Sequence, residues 1–357
     1  MTAAFFHNKR VLVTGACGTV GSELVRQLLD EYQVAELIGL DNNEAELFFT
    51  EQKYQHYPNA NFYLSDTRDA DKLARKFAGM DIVFHTAAFK HVTLCEKSPF
   101  DAVQTNILGT QNVIQAALIN KVGRTIFTSS DKAVNPTNVM GTSKLMGERL
   151  MTAANSTVAE HGPVFASTRF GNVLGSRGSV IPVFREQIRQ GGPVTLTDPE
   201  MTRFIMSLQE AVQLVIDSAV ISQGGEVFVT KMQVIRIKDL AEVMIEALAL
   251  LEGFSPEEIQ IEIIGAKPGE KLYEELMTSE EIRRTQELTR YFAVCPAFRS
   301  LYKAIDYEYP DIVSRHVEKA YNSASEAVMS QAELKTFLHE NKLLANANAD
   351  AKSNKGS

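Results

Sequence analysis

The sequence predicts an α/β fold in which a doubly wound parallel sheet is accompanied by a smaller C-terminal lobe. Short runs rich in β-branched and aromatic residues alternate with segments of helical periodicity, as in Arg10–Thr14 followed by Ser22–Asp30. Glycine-rich or polar segments follow these runs, at the edge where a parallel sheet places its ligands. The length of 357 residues allows one large domain or two ordinary ones.

The composition excludes several classes of protein. The chain carries 36 Lys and Arg against 44 Asp and Glu, which argues against a nucleic-acid or membrane-surface binder. Cys17, Cys95 and Cys295 are odd in number and widely spaced, so we expect no disulfide framework, no metal site and a reducing compartment. We see neither a signal peptide nor an apolar run of about 18 residues. We therefore expect a soluble cytoplasmic protein.

The first predicted strand, Arg10–Thr14, leads into a glycine turn. Gly15, Gly18 and Gly21 follow in the spacing G-x-x-G-x-x-G, directly before the helix Ser22–Asp30. A strand, a glycine turn and a helix in this order are the context of a dinucleotide-binding fingerprint, in which the backbone approaches a pyrophosphate at a helix N-terminus. The pattern therefore predicts a Rossmann-type domain that binds a dinucleotide.

Two carboxylates follow the next strands. The second strand, Glu36–Leu40, ends at Asp41, which can bind both ribose hydroxyls and repels a 2′-phosphate. This favours NAD over NADP, although Asp41 could instead cap a helix over Asn42–Phe49. After the third strand, Asn61–Leu64, Asp66 has two similar interpretations, a bond to the adenine amino group or a helix cap.

The fourth strand, Asp81–His85, is followed by small residues. Ala87 and Ala88 would let the backbone lie against the cofactor, and Lys90 would stand at the mouth of the site. A fifth strand, Arg124–Thr128, delivers the next polar segment to the same edge of the sheet.

That polar segment carries the side chains best suited to proton transfer. Ser130–Lys132 places a hydroxyl, a carboxylate and an ammonium group in succession, and a helix over Met140–Ala154 follows with Lys144 in its first turns. In an ordinary loop, adjacent Asp and Lys would be a solvated charge pair. At the carboxyl end of a buried strand they are candidates for an acid and a base.

The rest of the chain predicts a return to the sheet and a second lobe. Further helices are predicted over Phe100–Asn120, Leu208–Ile221 and Asp239–Leu251, and further strands over Val164–Phe170, Glu226–Lys231 and Gln260–Ile264. Asn106 lies in an apolar helix face, and we expect it to bond neighbouring loops. We predict an NAD-binding domain over 1–172, to which 204–235 returns, a substrate lobe over 173–203 and 236–340, and a disordered tail over 341–357.

These residues resemble the extended short-chain dehydrogenase/reductase superfamily and, within it, the CapD-like polysaccharide-biosynthesis proteins, the UDP-N-acetylglucosamine 4,6-dehydratases. The resemblance covers Lys9–Met277 and rests on the motifs T-G-A-C-G-T-V-G, A-A-F-K-H-V, T-N-I-L-G-T, S-S-D-K-A-V-N-P, M-G-T-S-K, R-F-G-N-V-L-G-S-R-G-S-V-I-P, M-T-R-F and K-P-G-E-K-L-Y-E-E-L. The chain departs from the superfamily at Met140, where Tyr-x-x-x-Lys becomes Met-x-x-x-Lys. A thioether neither gives nor takes a proton at neutral pH, so oxidation by a Tyr/Lys pair is not available.

The resemblance implies which residues form the site. Those expected to bind NAD are Gly15, Cys17, Gly18, Thr19, Val20, Gly21, Asp41, Asn42, Asp66, Thr67, Ala87, Ala88, Lys90, Asn106 and Lys144. Those expected to bind a UDP-sugar are Lys90, Asn172, Ser179, Val180, Arg203, Lys267 and Glu270. Arg203, Lys267 and Lys271 are the cations that we expect near the diphosphate.

The resemblance also implies a reaction. Carbon 4 of the sugar is oxidised, water is lost across carbons 5 and 6, and the hydride returns to carbon 6. Asp131 matches the family's acid and Lys132 its base, while Lys144 would hold the nicotinamide ribose. With Met140 in the tyrosine position, removal of the carbon-4 hydroxyl proton falls to Ser130 or its neighbours. The configuration at carbon 5 stays open, and we expect a homo-oligomer, a dimer or larger.

Two other functions stay open at this point. A nucleotide-sugar 4- or 5-epimerase reuses the oxidation at carbon 4, but it has no leaving group for an acid to protonate. A catalytically dead NAD-sensing regulator would explain the lost tyrosine, yet it predicts the loss of other site residues. Ser130, Asp131, Lys132 and Lys144 are all present, which favours the dehydratase.

Overall fold

The chain forms two compact units. The computed structural model describes residues 2–157, 162–176, 178–265, 269–298 and 305–344. The first unit lies within 1–170, 209–231 and 275–321, and the second within 171–208, 232–274 and 322–357.

The secondary structure alternates strands and helices over the first 170 residues, as the sequence predicts. The strands are β1 (Arg10–Thr14), β2 (Glu36–Asp41), β3 (Ala60–Leu64), β4 (Ile82–His85), β5 (Arg124–Ser130), β6 (Val164–Phe170), β7 (Asn172–Val173), β8 (Val194–Leu196), β9 (Thr202–Met206), β10 (Val227–Thr230), β11 (Gln233–Arg236), β12 (Ile261–Ile263), β13 (Thr285–Leu288), β14 (Tyr291–Val294) and β15 (Ile312–Ser314). The α-helices are α1 (Thr2–Phe6), α2 (Thr19–Asp30), α3 (Glu44–Tyr54), α4 (Ala70–Lys76), α5 (Val92–Lys97), α6 (Pro99–Ala102), α7 (Gly109–Ile119), α8 (Val139–Ala154), α9 (Val180–Arg189), α10 (Leu208–Ile221), α11 (Ile237–Leu248) and α12 (Gln331–Glu340).

The first unit is built on a ten-stranded sheet with the order β15-β13-β14-β10-β6-β5-β4-β1-β2-β3. Every neighbouring pair from β10 to β3 is parallel, whereas β13, β14 and β15 pair antiparallel. The chain builds outward from β1 to β2 and β3, then crosses to β4 on the other side of β1. Ligands bind at such a reversal of strand order in open α/β sheets. The predicted α/β class, with a Rossmann-type doubly wound sheet, is confirmed.

Burial on both faces explains why these strands are apolar runs. All four residues of β4 are buried, as are the last four of β1, because helices cover both faces of a parallel sheet. One core cluster joins Leu12, Val83 and Phe127 on the strands to Val113 on α7 and Met151 on α8. The core therefore fixes α8, which carries the Met-x-x-x-Lys segment, against the sheet.

The second unit contains two small sheets, β11-β9-β7 and β12-β8. Its apolar core includes Phe184 on α9, Ile205 on β9, Leu240 on α11 and Leu334 on α12. Among the residues described, no helix combines the length and the apolar character that a membrane crossing needs.

The unit boundaries differ from those expected. The segment 275–321 belongs to the first unit, although it falls inside the lobe predicted over 236–340. Strands β13–β15 extend the main sheet beyond β10, and a strand's apolar pattern does not say which edge it will join. Leu344, inside the tail predicted over 341–357, is buried in the core of the second unit, and residues 345–357 lie outside the described part.

The single helix predicted over Phe100–Asn120 is divided. The structure has α6, then a π-helical segment at Val103–Leu108, and then α7. Asn106 lies in the π-helical segment, and such wider turns occur often at functional sites. Helical periodicity alone does not distinguish a π turn from a continuous α-helix.

Candidate active site

The glycine turn between β1 and α2 depends on missing side chains. Gly15 has φ +71°, and a Cβ there would lie 2.7 Å from the Ala87 nitrogen. A Cβ at Gly21 would lie 2.1 Å from the Gly15 carbonyl oxygen. Gly18 is the N-cap of α2 without a side-chain cap, and the first turn, which begins with Thr19 and Val20, carries no acidic residue. Its N–H groups therefore suit an anionic pyrophosphate.

Asp41 joins the end of β2 to this turn. Its carboxylate accepts hydrogen bonds from the Cys17 N–H at 2.9 Å and the Asn43 N–H at 3.0 Å. The N-cap of α3 is Asn43, whose side chain accepts from the Glu46 N–H, so Asp41 is not the helix cap. Burial raises the pKa of the Cys17 thiol to about 11, which keeps Cys17 neutral and unreactive.

Asp66 is held as a carboxylate at the end of β3. Arg68 donates to it from Nη2 at 2.7 Å and from Nε at 2.9 Å, and Asn42 donates at 3.2 Å. The hydrogen bonds from Arg68 lower the pKa of Asp66 to about 2. The cap of α4 is Asp69, so Asp66 is not a helix cap. The neighbouring Thr67 is buried.

Asn106 connects the segment after β4 to helix α8. Its Oδ1 accepts from the Phe89 N–H at 2.8 Å, and its Nδ2 donates to the Phe89 carbonyl at 3.0 Å and to Ser143 Oγ at 2.9 Å. The expectation that Asn106 bonds a neighbouring loop is confirmed. These bonds fix the position of Ala87–Lys90, in which Ala87 and Ala88 are half-buried and Lys90 is exposed.

Three consecutive side chains form a hydrogen-bonded chain at the end of β5. Ser130 Oγ donates to Asp131 Oδ1 at 2.8 Å, and Lys132 Nζ lies 3.1 Å from Oδ1 and 3.0 Å from Oδ2 of the same carboxylate. The Lys132 N–H donates to Ser130 Oγ, which caps a 3₁₀ turn over Asp131–Ala133. The side chain of Asp131 is 4% exposed and that of Lys132 is 33% exposed. The serine proton thus points at a buried carboxylate.

Met140 lies in a small apolar cluster. It is 3% exposed and packs with Cys95 of α5 and Ala102 of α6, next to Val92 and Val139. The thioether therefore joins α5 and α6 to the start of α8. The sequence places Met140 in the catalytic set; its surroundings here are apolar, and a part for it in the reaction stays a prediction.

Lys144 lies one helical turn after Met140 and is buried. Its Nζ donates to the Thr128 carbonyl at 2.9 Å and lies 4.8 Å from the centre of the Phe127 ring. Burial lowers the pKa of Lys144 to about 8, and the Glu148 carboxylate opposes this shift.

A buried histidine that the sequence did not single out lies at the end of β4. The His85 ring nitrogens lie 2.7 Å from Thr14 Oγ1 and 3.1 Å from Thr110 Oγ1. Burial lowers the pKa of His85 to about 3, so the imidazole is neutral at physiological pH. Its position inside an apolar strand gave no sign of function.

In the second unit, Arg203 on β9 is surrounded by acceptors from the protein itself. It donates to the carbonyls of Thr202 and Lys271, both at 2.8 Å. Its Nε lies 3.3 Å from Glu274, and its Nη2 lies 3.8 Å from Glu270. These carboxylates balance the guanidinium charge. Binding of the diphosphate by Arg203 stays a prediction, and Lys267 lies outside the described residues.

Glu274 organises the same region, and the sequence interpretation missed it. It accepts from Asn172 Nδ2 at 2.8 Å and from the Phe204 N–H at 3.2 Å. Ser179 is the N-cap of α9, which begins at Val180, and its buried hydroxyl has no hydrogen-bond partner among the described residues. The paired acids in K-P-G-E-K-L-Y-E-E-L were the available signal for Glu274, but spacing alone does not connect them to Asn172.

Comparison with known proteins identifies the family. A family model described as "Polysaccharide biosynthesis protein" matches residues 11–296. The chain belongs to this polysaccharide biosynthesis family, within the short-chain dehydrogenase/reductase superfamily.

Family relatives carry both dehydratase and epimerase names. The chain is 50% identical over 292 residues to an "uncharacterized membrane protein" of Methanocaldococcus jannaschii, covering 82% of this chain and 87% of that protein. It is 36% identical to a UDP-N-acetylglucosamine 4,6-dehydratase (inverting) of Campylobacter jejuni, in an alignment that covers 85% of this chain and 87% of that protein. It is 38% identical to a UDP-glucose 4-epimerase of Rickettsia bellii, in an alignment that covers 81% of this chain and 83% of that protein. It is 43% identical to the capsular polysaccharide biosynthesis protein CapD of Staphylococcus aureus. That alignment covers 78% of this chain but only 47% of CapD, about half of the length of that protein.

Solved structures of the superfamily share the fold. Pen from Bacillus thuringiensis aligns with TM-score 0.87 and 40% identity over 95% of this chain and 99% of Pen. The dTDP-glucose 4,6-dehydratase DesIV from Streptomyces venezuelae, whose structure contains NAD, aligns with TM-score 0.65 and 25% identity. The alignment covers 74% of this chain and 86% of DesIV. This polysaccharide-biosynthesis protein is thus an enzyme of the nucleotide-sugar dehydratase and epimerase class, and that class uses NAD(H).

Proposed function

We propose that the protein is an NAD-dependent UDP-N-acetylglucosamine 4,6-dehydratase that produces a UDP-4-keto-6-deoxy sugar for surface polysaccharide or glycan biosynthesis. The observation that carries the proposal is the chain from Ser130 through Asp131 to Lys132 at the carboxyl end of β5. Loss of water from a 4-keto sugar requires a base at carbon 5 and an acid at the carbon-6 hydroxyl. A carboxylate and an amine 3.0 Å apart supply both groups.

The first unit fits the dinucleotide. Glycine at positions 15 and 21 leaves the turn free of Cβ atoms that would clash with the backbone. The N-terminus of α2 has no side-chain cap and would bind the pyrophosphate. Asp41 would bind the ribose hydroxyls next to this turn, and Lys144 would bind the nicotinamide ribose. When bound, NAD would accept the hydride from carbon 4 and supply the hydride for carbon 6.

Ser130 and Asp131 would replace the missing tyrosine. The carbon-4 hydroxyl gives its proton to Ser130 Oγ as the serine proton moves to Asp131 Oδ1, to which it already points over 2.8 Å. Asp131 is then a carboxylic acid. It gives this proton to the departing carbon-6 hydroxyl, which leaves as water, and returns to its starting state.

Lys132 would act at carbon 5. Its ammonium group, which is 33% exposed, first loses a proton to solvent. The neutral amine then removes the carbon-5 proton, which the adjacent ketone has made acidic, returns a proton to carbon 5 when the double bond is reduced, and regains a proton from solvent. The proton lost from the carbon-4 hydroxyl thus leaves with the water. Lys132 has no net change over the cycle.

A nucleotide-sugar epimerase is the second candidate, supported by the epimerase names among the relatives. Epimerisation at carbon 4 needs the oxidation but neither an acid for carbon 6 nor a base for carbon 5. Epimerisation at carbon 5 needs the base but no acid for carbon 6. The dehydratase uses all three side chains of the Ser130–Lys132 segment, and it is therefore our conclusion.

The test is to follow UDP-N-acetylglucosamine with the purified protein in deuterated water by NMR. We expect a 4-keto-6-deoxy product with deuterium at carbon 5. A carbon-4 epimer without loss of water would establish the epimerase instead, and unchanged substrate together with bound NAD would favour the regulator.

Two variants separate the roles. Lys132→Arg keeps a cation beside Asp131 but removes a usable base. It should accumulate reduced cofactor in a single turnover without deuterium at carbon 5. Asp131→Asn removes the acceptor for the serine proton, so both oxidation and water loss should fall. If Asp131→Asn forms product at the wild-type rate, the acid lies elsewhere.

A further inference from the structure

Four charged side chains lie buried together in the first unit, and only one of them belongs to the site described above. Lys144 and Glu148 are one turn apart on α8, Arg169 is on β6, and Glu281 begins a 3₁₀ turn over Glu281–Arg284. Their exposed fractions are 5%, 2%, 1% and 3%. Charges removed from water to this extent need specific partners.

Arg169 uses every donor that it has. Its Nε and Nη2 donate to the two oxygens of Glu148 at 2.8 and 2.6 Å. Its Nη2 and Nη1 donate to the two oxygens of Glu281, both at 2.9 Å. The remaining N–H donates to the Leu276 carbonyl at 3.1 Å. A guanidinium has five N–H donors, so two bidentate pairs and one carbonyl fix both carboxylates in place.

This clamp leaves a surplus of negative charge. Two carboxylates and one guanidinium sum to −1, which a protonated Lys144 balances to zero. Arg284 lies 3.6 Å from Glu281 but pairs at 3.1 Å with the exposed Glu280. The charges of Arg284 and Glu280 therefore largely cancel each other. Among the four buried groups, charge is therefore balanced only when Lys144 is cationic.

Among the residues that the structure describes, no other group around Lys144 replaces that balance. On β5 it meets the Thr128 carbonyl and the Phe127 ring. His85 on β4 is neutral because burial lowers its pKa to about 3. Cys95 on α5 is a thiol whose pKa is raised by burial. Among the ionisable groups that act on Lys144, Glu148 has the strongest effect.

We propose that Glu148, clamped by Arg169 and Glu281, is a positioning residue that keeps the Lys144 side chain cationic. Glu148 is buried, so its effect on the site passes through Lys144. Glu281 lies in the segment 275–321, so this segment is connected to Glu148 through Arg169. The functional meaning of this inference rests on the proposed function, in which a cationic Lys144 binds the nicotinamide ribose. The inference about the charge of Lys144 is independent of the proposed function.

The test is a direct titration of Lys144. Protein labelled with [ε-¹³C]lysine is titrated by NMR, and the Lys144 signal is assigned by its loss in Lys144→Arg. In the wild type we expect a midpoint near pH 8. Glu148→Gln should lower this midpoint by about one pH unit or more, because it removes the negative charge that counteracts the effect of burial on the Lys144 pKa. Glu281→Gln, which leaves Glu148 beside Lys144, should lower it by less.

A matched control and a second variant keep the result clear. Glu226 is another fully buried carboxylate of the first unit, bound by the N–H groups of Gln223 and Gly224 and by Tyr309. Glu226→Gln should leave the Lys144 midpoint unchanged.

If Glu148→Gln does not fold, the triple variant Glu148→Leu, Arg169→Met, Glu281→Leu replaces the clamp with apolar side chains, a change that buried ion clusters often tolerate. It should also lower the midpoint. An unchanged Lys144 midpoint in a folded Glu148→Gln or triple variant overturns the proposal. Failure to dehydrate UDP-N-acetylglucosamine would overturn the proposed function and leave the titration result standing.

Discussion

Gly141 lies in the first turn of α8, as the second residue of M-G-T-S-K. It allows α8 to touch the turn that carries the proposed acid and base. A Cβ at this position would lie 2.1 Å from the Lys132 carbonyl oxygen and 3.0 Å from its carbonyl carbon. Ordinary carbon–oxygen contacts are about 3.3 Å or longer. In Gly141→Ala the Lys132 carbonyl must therefore retreat by roughly 1 Å. Because that carbonyl is backbone, Asp131 and Lys132 move with it.

The expected effect is large on turnover and moderate on stability. Overpacking of this kind costs about 1–3 kcal/mol of unfolding free energy, while a misplacement of about 1 Å at reacting groups can cost on the order of 100-fold in rate. We expect Gly141→Ala to reduce turnover of UDP-N-acetylglucosamine by this order. Bound NAD should be retained, since the glycine turn after β1 is untouched. Turnover, copurified nucleotide and urea unfolding measure the three quantities.

Gly147→Ala is the control on the same helix. Its Cβ would lie 2.6 Å from the Phe127 ring, away from the Asp131–Ala133 turn. It should destabilise the protein to a similar degree with a much smaller loss of turnover. Wild-type turnover in Gly141→Ala, or equal losses in both variants, would refute the argument that α8 positions the turn.

Three further outcomes are expected. Burial holds the pKa of His85 near 3 against 6.5 unfolded, so the unfolded chain binds the extra proton. Acid should therefore remove about 1.4 kcal/mol of stability per pH unit between these values, and in urea unfolding His85→Gln should show a flatter pH dependence. Met140→Leu should retain near wild-type turnover, because Met140 packs against Cys95 and Ala102 and this swap conserves volume. A large loss would give the thioether a catalytic part. The purified protein should release NAD on denaturation, and Asp41→Ala should release less. Finding NADP in the wild type would contradict the role of Asp41.

The helices and strands that were predicted correctly are determined by sequence patterns within a few residues. β6 at Val164–Phe170 and α10 at Leu208–Ile221 have the predicted bounds, because period-2 and period-3.6 patterns and their flanking glycines act within a few residues. The Ser130–Lys132 segment was found at the end of β5 for the same reason. A strand end carries its own sequence neighbours to the sheet edge.

Tertiary structure alone decides which distant side chains meet. Arg169 and Glu281 are separated by 112 positions, and no periodicity joins them. The pairing depends on β13 and β14 docking beside β10, which places 275–321 in the first unit. The apolar surroundings of Met140 likewise arise only when α5 and α6 cover it. Burial, partner and charge state are properties of the packed core, so they follow from the fold and not from spacing along the chain.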